Sequence, residues 1–159
     1  MLNFDELILK IENLAYERFG DSREKNIYVG EAYEKVAGYF LDRVWGFQFE
    51  HVKKPDIDLL GCKDNQWYAI QVAERSDSDE VFPQRDLGDF IYATNDLKLS
   101  FPGLSMMLVL FECKPTKEEL QKYIHPYDIK IVTEANIRYY SDNLNWSECL
   151  KKIEPIFKN

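Results

Sequence analysis

The sequence is poor in the residues from which small metal and disulfide frameworks are made. Its 159 residues include three cysteines, Cys62, Cys113 and Cys149, odd in number, far apart and without a Cys-X-X-Cys spacing. The two histidines, His51 and His125, stand alone. Both facts argue against a zinc site and against a disulfide scaffold. No apolar run approaches the roughly eighteen residues of a membrane-spanning helix. The first twenty residues, MLNFDELILKIENLAYERFG, carry acids through their apolar pattern and lack the basic start of a secretory signal. These absences read as a reduced, cytoplasmic protein with no membrane partner. Positive charge is scarce as well: 20 Lys and Arg face 28 Asp and Glu, for a net charge of −8. A non-specific nucleic-acid binder gains its affinity by neutralising phosphates with Lys and Arg, so this balance argues against one. It leaves room for an enzyme that touches nucleic acid through a small basic patch or metal ions, or for a subunit beside a basic partner.

What is present is an ordinary globular composition, 45% hydrophobic and 30% charged, with a high aromatic share of 14%. Core packing and interface surface account for the aromatics more simply than base stacking does. The length fits a single domain, 1–159, large enough to bury a core.

Periodicity divides the chain. Phe4, Leu7, Ile8, Ile11, Leu14, Ala15 and Phe19 recur at three and four, which predicts a helix over 3–19 with Asn3 as cap, Glu6 completing it and Gly20 as stop. Asp21 to Asn26 reads as a charged connection. A second helix is predicted over 29–45, its stripe formed by Val29, Tyr33, Val36, Ala37, Phe40, Leu41 and Val44. At about 100° per residue, Glu34 falls on the edge of that stripe and Glu31 points further towards solvent. Residues 47–52 alternate as a first strand.

Pro55 to Ala73 then reads as a β-hairpin. Asp56, Asp58 and Leu60 share one face of its first run, and Trp67, Ala69, Gln71 and Ala73 one face of the second. Lys63-Asp64-Asn65-Gln66 is turn chemistry. Asp58 is thereby set at about the level of Gln71. Glu74 to Glu80 reads as a solvated acidic loop. A helix over 84–98 has Leu87, Phe90, Ile91, Thr94 and Leu97 inside, and the continuous run Leu104 to Phe111 fits a fully buried strand. Thr116 and Glu119 form a capping box for a helix ended by Pro126. A short strand over 129–132, a helix start at Thr133–Asn136 and a last helix over 148–157 capped by Ser147 complete the chain. The order helix, helix, three strands, helix, strand and a mixed tail describes an α/β fold with a central mixed β-sheet flanked by helices.

That order resembles the PD-(D/E)XK superfamily, the restriction-endonuclease-like fold, over roughly 27–112. The residues that carry the resemblance are Glu34 in Tyr33-Glu34-Lys35-Val36-Ala37, Pro55-Asp56-Ile57-Asp58, and Ile70-Gln71-Val72-Ala73. The Ile-Asp-Leu and Ala-Ile-Gln-Val pieces are also similar to a bacterial subfamily, the SMEK domains of defence-associated proteins. The resemblance implies an α-β-β-β-α-β core behind an N-terminal helix, Mg²⁺ or Mn²⁺ as cofactor, and phosphodiester hydrolysis of DNA, with bacterial defence as the setting. It assigns Asp58 the aspartate role, Glu34 that of the helix glutamate and Gln71 the place of the second acid, these three being the implied metal ligands. Ala73 stands where the family has its lysine. Arg75 has the strand parity to lie on the same face, but an arginine holds phosphate without serving as a base. Lys54 and Lys63 are the other cations near enough in sequence to reach in. Two of three core positions thus depart from the pattern. The alternatives are a degenerate member of the same fold that works as a binding or assembly subunit, with a protein partner or as a homo-oligomer, and an unrelated acidic α/β interaction protein.

Overall fold

The computed structural model describes residues 1–74, 84–113 and 115–158. Its residue contacts gather into two compact units, Met1–Val44 with Ala135–Asn159, and Trp45–Glu134.

The first unit is helical. Helix α1 (Phe4–Phe19) begins at the expected capping box: the Glu6 N–H donates to Asn3 Oδ1 at 2.8 Å and the Asn3 N–H to Glu6 Oε1 at 3.1 Å. Phe4, Leu7, Ile11 and Ala15 are its buried stripe. Helix α2 (Arg23–Trp45) starts six residues before the sequence pattern predicts. Its first turn is polar and exposed, so it has no apolar periodicity, yet charged residues are good helix formers. The Ser22 hydroxyl accepts the Lys25 N–H at 3.4 Å and Asp21 pairs with Lys25 at 3.8 Å. Helix α5 (Glu134–Tyr140) and helix α6 (Trp146–Phe157) complete this unit. The cap of α6 is Asn145, whose Oδ1 accepts the Glu148 N–H at 3.3 Å, and not Ser147, whose hydroxyl accepts the Leu2 N–H. Burial decides this. Trp146 is 1% exposed, edge-on to the Phe4 ring at 5.3 Å, so the residue beside it must already be helical. Burial also pushes the Cys149 thiol up to about 12.

The second unit holds a five-stranded mixed sheet in the order β1-β2-β3-β4-β5. Strands β1 (Gln48–Glu50), β2 (Leu59–Lys63) and β3 (Gln66–Glu74) pair antiparallel. Strands β4 (Ser105–Phe111) and β5 (Lys130–Thr133) then add in parallel. The β2–β3 turn uses Asp64 and Asn65 at φ 51° and 66°, the two left-handed residues that a type I′ hairpin needs. Strands β1 and β2 are shorter than expected. Pro55 and Asp56 form a turn, with Asp56 at φ 70°, so Asp56 does not share a strand face with Asp58 and Leu60. Helix α3 (Gln84–Leu97) crosses from β3 to β4 and covers one face of the sheet. Leu87, Phe90 and Ile91 pack there against Leu60, Ala69, Met106, Leu108 and Leu110. The Thr94 hydroxyl, fully buried, donates to Phe90 C=O at 2.8 Å. Short helix α4 (Lys117–Glu119) opens on the expected Thr116–Glu119 box, and the helical turns run past Pro126 to Asp128 at φ 53°. Proline is tolerated there because it begins a new 3₁₀ turn, whose first N–H has no partner to lose.

Gly61 is the tightest point of the sheet. A Cβ on it would meet Phe47 Cδ2 at 2.9 Å and Phe49 Cε1 at 3.0 Å. Aromatic rings held on a strand surface have little room to retreat, so Gly61→Ala should cost about 1–3 kcal/mol of unfolding free energy, read from urea denaturation curves.

Candidate functional site

Asp58 is the residue before β2, and it closes the open end of the hairpin. Its N–H donates to Ile70 C=O at 3.0 Å. Its Oδ2 accepts the Val72 N–H at 2.7 Å. Strand β3 runs on to Glu74 while β2 begins only at Leu59, so Val72 lacks a β2 partner. A carboxylate side chain supplies the acceptor where the backbone turns away through Pro55 and Asp56. The β2–β3 register ends at the Leu59–Ile70 pair, so Asp58 and Gln71 each lie one residue beyond the last paired position.

The charge of Asp58 is held at a cost. Burial pushes its carboxyl above the usual carboxylate range, the Val72 N–H opposes that shift, and the nearby Asp56 carboxylate adds to it. A raised carboxyl pKa beside a strand end is a feature of functional sites and equally of structural caps.

The other predicted residues have different surroundings. Gln71 is half-buried and shares the α3 side of β3 with Ala69 and Ala73, and Ala73 packs against the core under α3. Glu34 lies in the first unit, half-buried on α2, with Glu31 exposed beside it as the helical pattern predicts. Arg75 lies outside the described residues, as do the other residues after Glu74 in the stretch 74–80 expected to be an acidic loop. Of the two other lysines named from the sequence, Lys54 is paired with the Asp96 carboxylate. Lys63 falls on the opposite face of the sheet, against the Trp45 ring.

The metal that the resemblance implies can be weighed against this donor set. Mg²⁺ and Mn²⁺ seek hard, preferably charged oxygen ligands. Within the hairpin, Asp58 has one oxygen already engaged by Val72, Gln71 is a neutral amide, and Asp56 is a further carboxylate nearby, on the turn. Among the described residues no three His, Cys, Asp or Glu side chains gather closely enough to hold a metal ion. These residues do not make a metal centre by themselves.

The sequence motif also leaves out a feature of the opposite face. Trp45, Phe47, Lys63, Tyr68, Met107, Lys130, Ile131 and Val132 line an open pocket of about 240 Å³. Its residues come from four strands and the end of a helix, so no local spacing announces it.

Asp58 generates a test. A carboxyl whose folded pKa is raised holds its proton more tightly in the folded chain. Its contribution to stability is full in acid, below the ordinary value of 3.8, and is lost as the pH rises through the raised folded value. Asp58→Asn keeps an acceptor for the Val72 N–H without the charge. Its stability relative to the native chain should therefore rise across that acid window and stay level above it. Asp58→Ala leaves the Val72 N–H without its acceptor and should cost about 1–3 kcal/mol at neutral pH. Urea unfolding of the three proteins across a pH series reads both effects.

No protein-family model matches this chain, and no curated protein matches it. Among solved structures it is similar to the crystal structure of the protein of unknown function AF1548, with a TM-score of 0.54 at 13% identity. The match covers 77% of this chain and 66% of the other, so the chain spans just under two thirds of that protein's length. At that identity the likeness is one of fold: an α/β chain built on a mixed sheet.

Proposed function

We propose that this chain is a catalytically degenerate member of the restriction-endonuclease-like fold, working as a binding or assembly subunit and not as a Mg²⁺- or Mn²⁺-dependent deoxyribonuclease. The reading rests on the chemistry at the hairpin. The carboxylate of Asp58 is used to finish the β3 ladder through the Val72 N–H. The position of the second acid is an amide, Gln71, and that of the lysine is the methyl of Ala73, packed into the core. Hydrolysis of a phosphodiester needs a polarised water and stabilisation of the growing phosphate charge. One partly engaged carboxylate and one amide supply little of either. The net charge of −8 points the same way, since DNA would be repelled wherever no basic patch offsets it.

The competing reading, an active nuclease of a defence system, is favoured by one observation: Asp58 and Gln71 are both the next residues beyond the last β2–β3 pair, Leu59–Ile70. Calorimetric Mn²⁺ titration and plasmid cleavage in Mg²⁺ or Mn²⁺, on the native chain and on Asp58→Ala, separate the two. The expected outcome is no cleavage by either protein and no Mn²⁺ heat that depends on Asp58. Cleavage by the native chain that disappears in Asp58→Ala overturns the proposal. Gln71→Glu puts a carboxylate at the position of the second acid. It should confer Mn²⁺ binding that the native chain lacks, with a Kd in the range of about 0.1–1 mM by the same titration.

A further inference from the structure

We infer that the pocket on the sheet face opposite Gln71 binds a small organic anion built on a flat ring. The inference is independent of whether the hairpin has catalytic chemistry. Alternation along each strand places Lys63 and Gly61 of β2, Tyr68 of β3, Met107 of β4, and Lys130 and Val132 of β5 on this one face. Gly61 is what opens the floor. With no Cβ there, the rings of Phe47 and Phe49 lie down on β2, and Phe47 reaches Tyr68 at 5.5 Å between ring centroids. Trp45, at the end of α2, adds a further aromatic wall.

Two ammonium groups border these walls. Lys63 Nζ stands 5.7 Å from the centroid of the Trp45 ring. Lys130 Nζ stands 5.3 Å from that of Tyr68 and donates to Tyr68 Oη at 3.2 Å. Among the described residues neither lysine pairs with a carboxylate, in a chain with eight more acidic than basic side chains. Lys63 is held near the Trp45 ring and Lys130 against the Tyr68 hydroxyl, contacts that position each cation while leaving further ammonium protons available to an anion. The pairing of apolar walls with a few directed charges is the pattern of small-ligand sites. A volume of about 240 Å³ restricts the occupant to a ring of modest size carrying its anionic group. The ring stacks on Phe47, Tyr68 or Trp45, and the anion sits against Lys63 or Lys130.

Two kinds of molecule share that chemistry, a nucleoside monophosphate and an aromatic carboxylic acid. The test is calorimetric titration of the full chain at low salt with adenosine 5′-monophosphate and, separately, with indole-3-acetate. Adenosine and inorganic phosphate are titrated as the ring and the anion alone. The expected result is binding of at least one of the two ring anions with a Kd below about 1 mM, at least about tenfold tighter than either half. Lys63→Gln with Lys130→Gln should weaken it by about tenfold or more, and Lys63→Arg with Lys130→Arg should retain it. Which probe binds identifies the class of anion. The inference is overturned if neither ring anion binds in that range, if phosphate alone binds as tightly, or if the double Gln variant binds unchanged while its unfolding curve matches the native one.

Discussion

The parallel pairing of β3 with β4 is the constraint on which the second unit depends. Seven consecutive residues, Tyr68 to Glu74, match Ser105 to Phe111 one for one. Buried backbone groups must find partners, and in strands this apolar the partners can only be each other's N–H and C=O groups. Once that pairing is set, the sheet grows outward on both sides. The hairpin adds β2 and β1 to one edge of β3, and β5 adds to the free edge of β4. A parallel connection needs a long crossover, and α3 provides it while covering the Leu60, Ala69 and Leu108 face.

Both features of interest follow from that geometry. The α3 face carries Gln71 and Ala73; the opposite face carries Tyr68, Met107 and Lys130. The period of two assigns alternate residues of one strand to different chemistry. Asp58 belongs to neither face in a simple sense. It sits where β2 ends, and its carboxylate completes the backbone ladder of β3 in place of a strand residue. A residue so placed has a structural role whatever chemistry its neighbours carry.

The distribution of charge agrees with a binding protein more readily than with a nuclease. Acidic residues dominate the chain, whereas the pocket lined by Trp45, Phe47 and Tyr68 is bordered by lysines. A local cationic site on an acidic protein favours small anions that fit between aromatic walls and disfavours a long polyanion, whose remaining phosphates meet carboxylates.

Much of the architecture was legible in the sequence because it is local. The Asn3–Glu6 and Thr116–Glu119 boxes, the Asp64–Asn65 turn, the inner stripe of α3 and the buried run of β4 each depend on residues a few positions apart. The early start of α2 has no signature in the sequence because an exposed polar turn has no apolar period. The cap of α6 moved from Ser147 to Asn145 because the burial of Trp146 outweighed the local preference. Asp56 left its expected strand because the Pro55 turn intervenes. For the site, the sequence by itself determined which side chains are available: the carboxylate of Asp58, the amide of Gln71 and the methyl of Ala73. Only the tertiary structure decided what they do. It spent one Asp58 oxygen on Val72, drew Lys54 to Asp96, and joined Lys63 of β2 to Lys130 of β5 across one sheet face. Strand order and register bring together residues that no spacing along the chain connects.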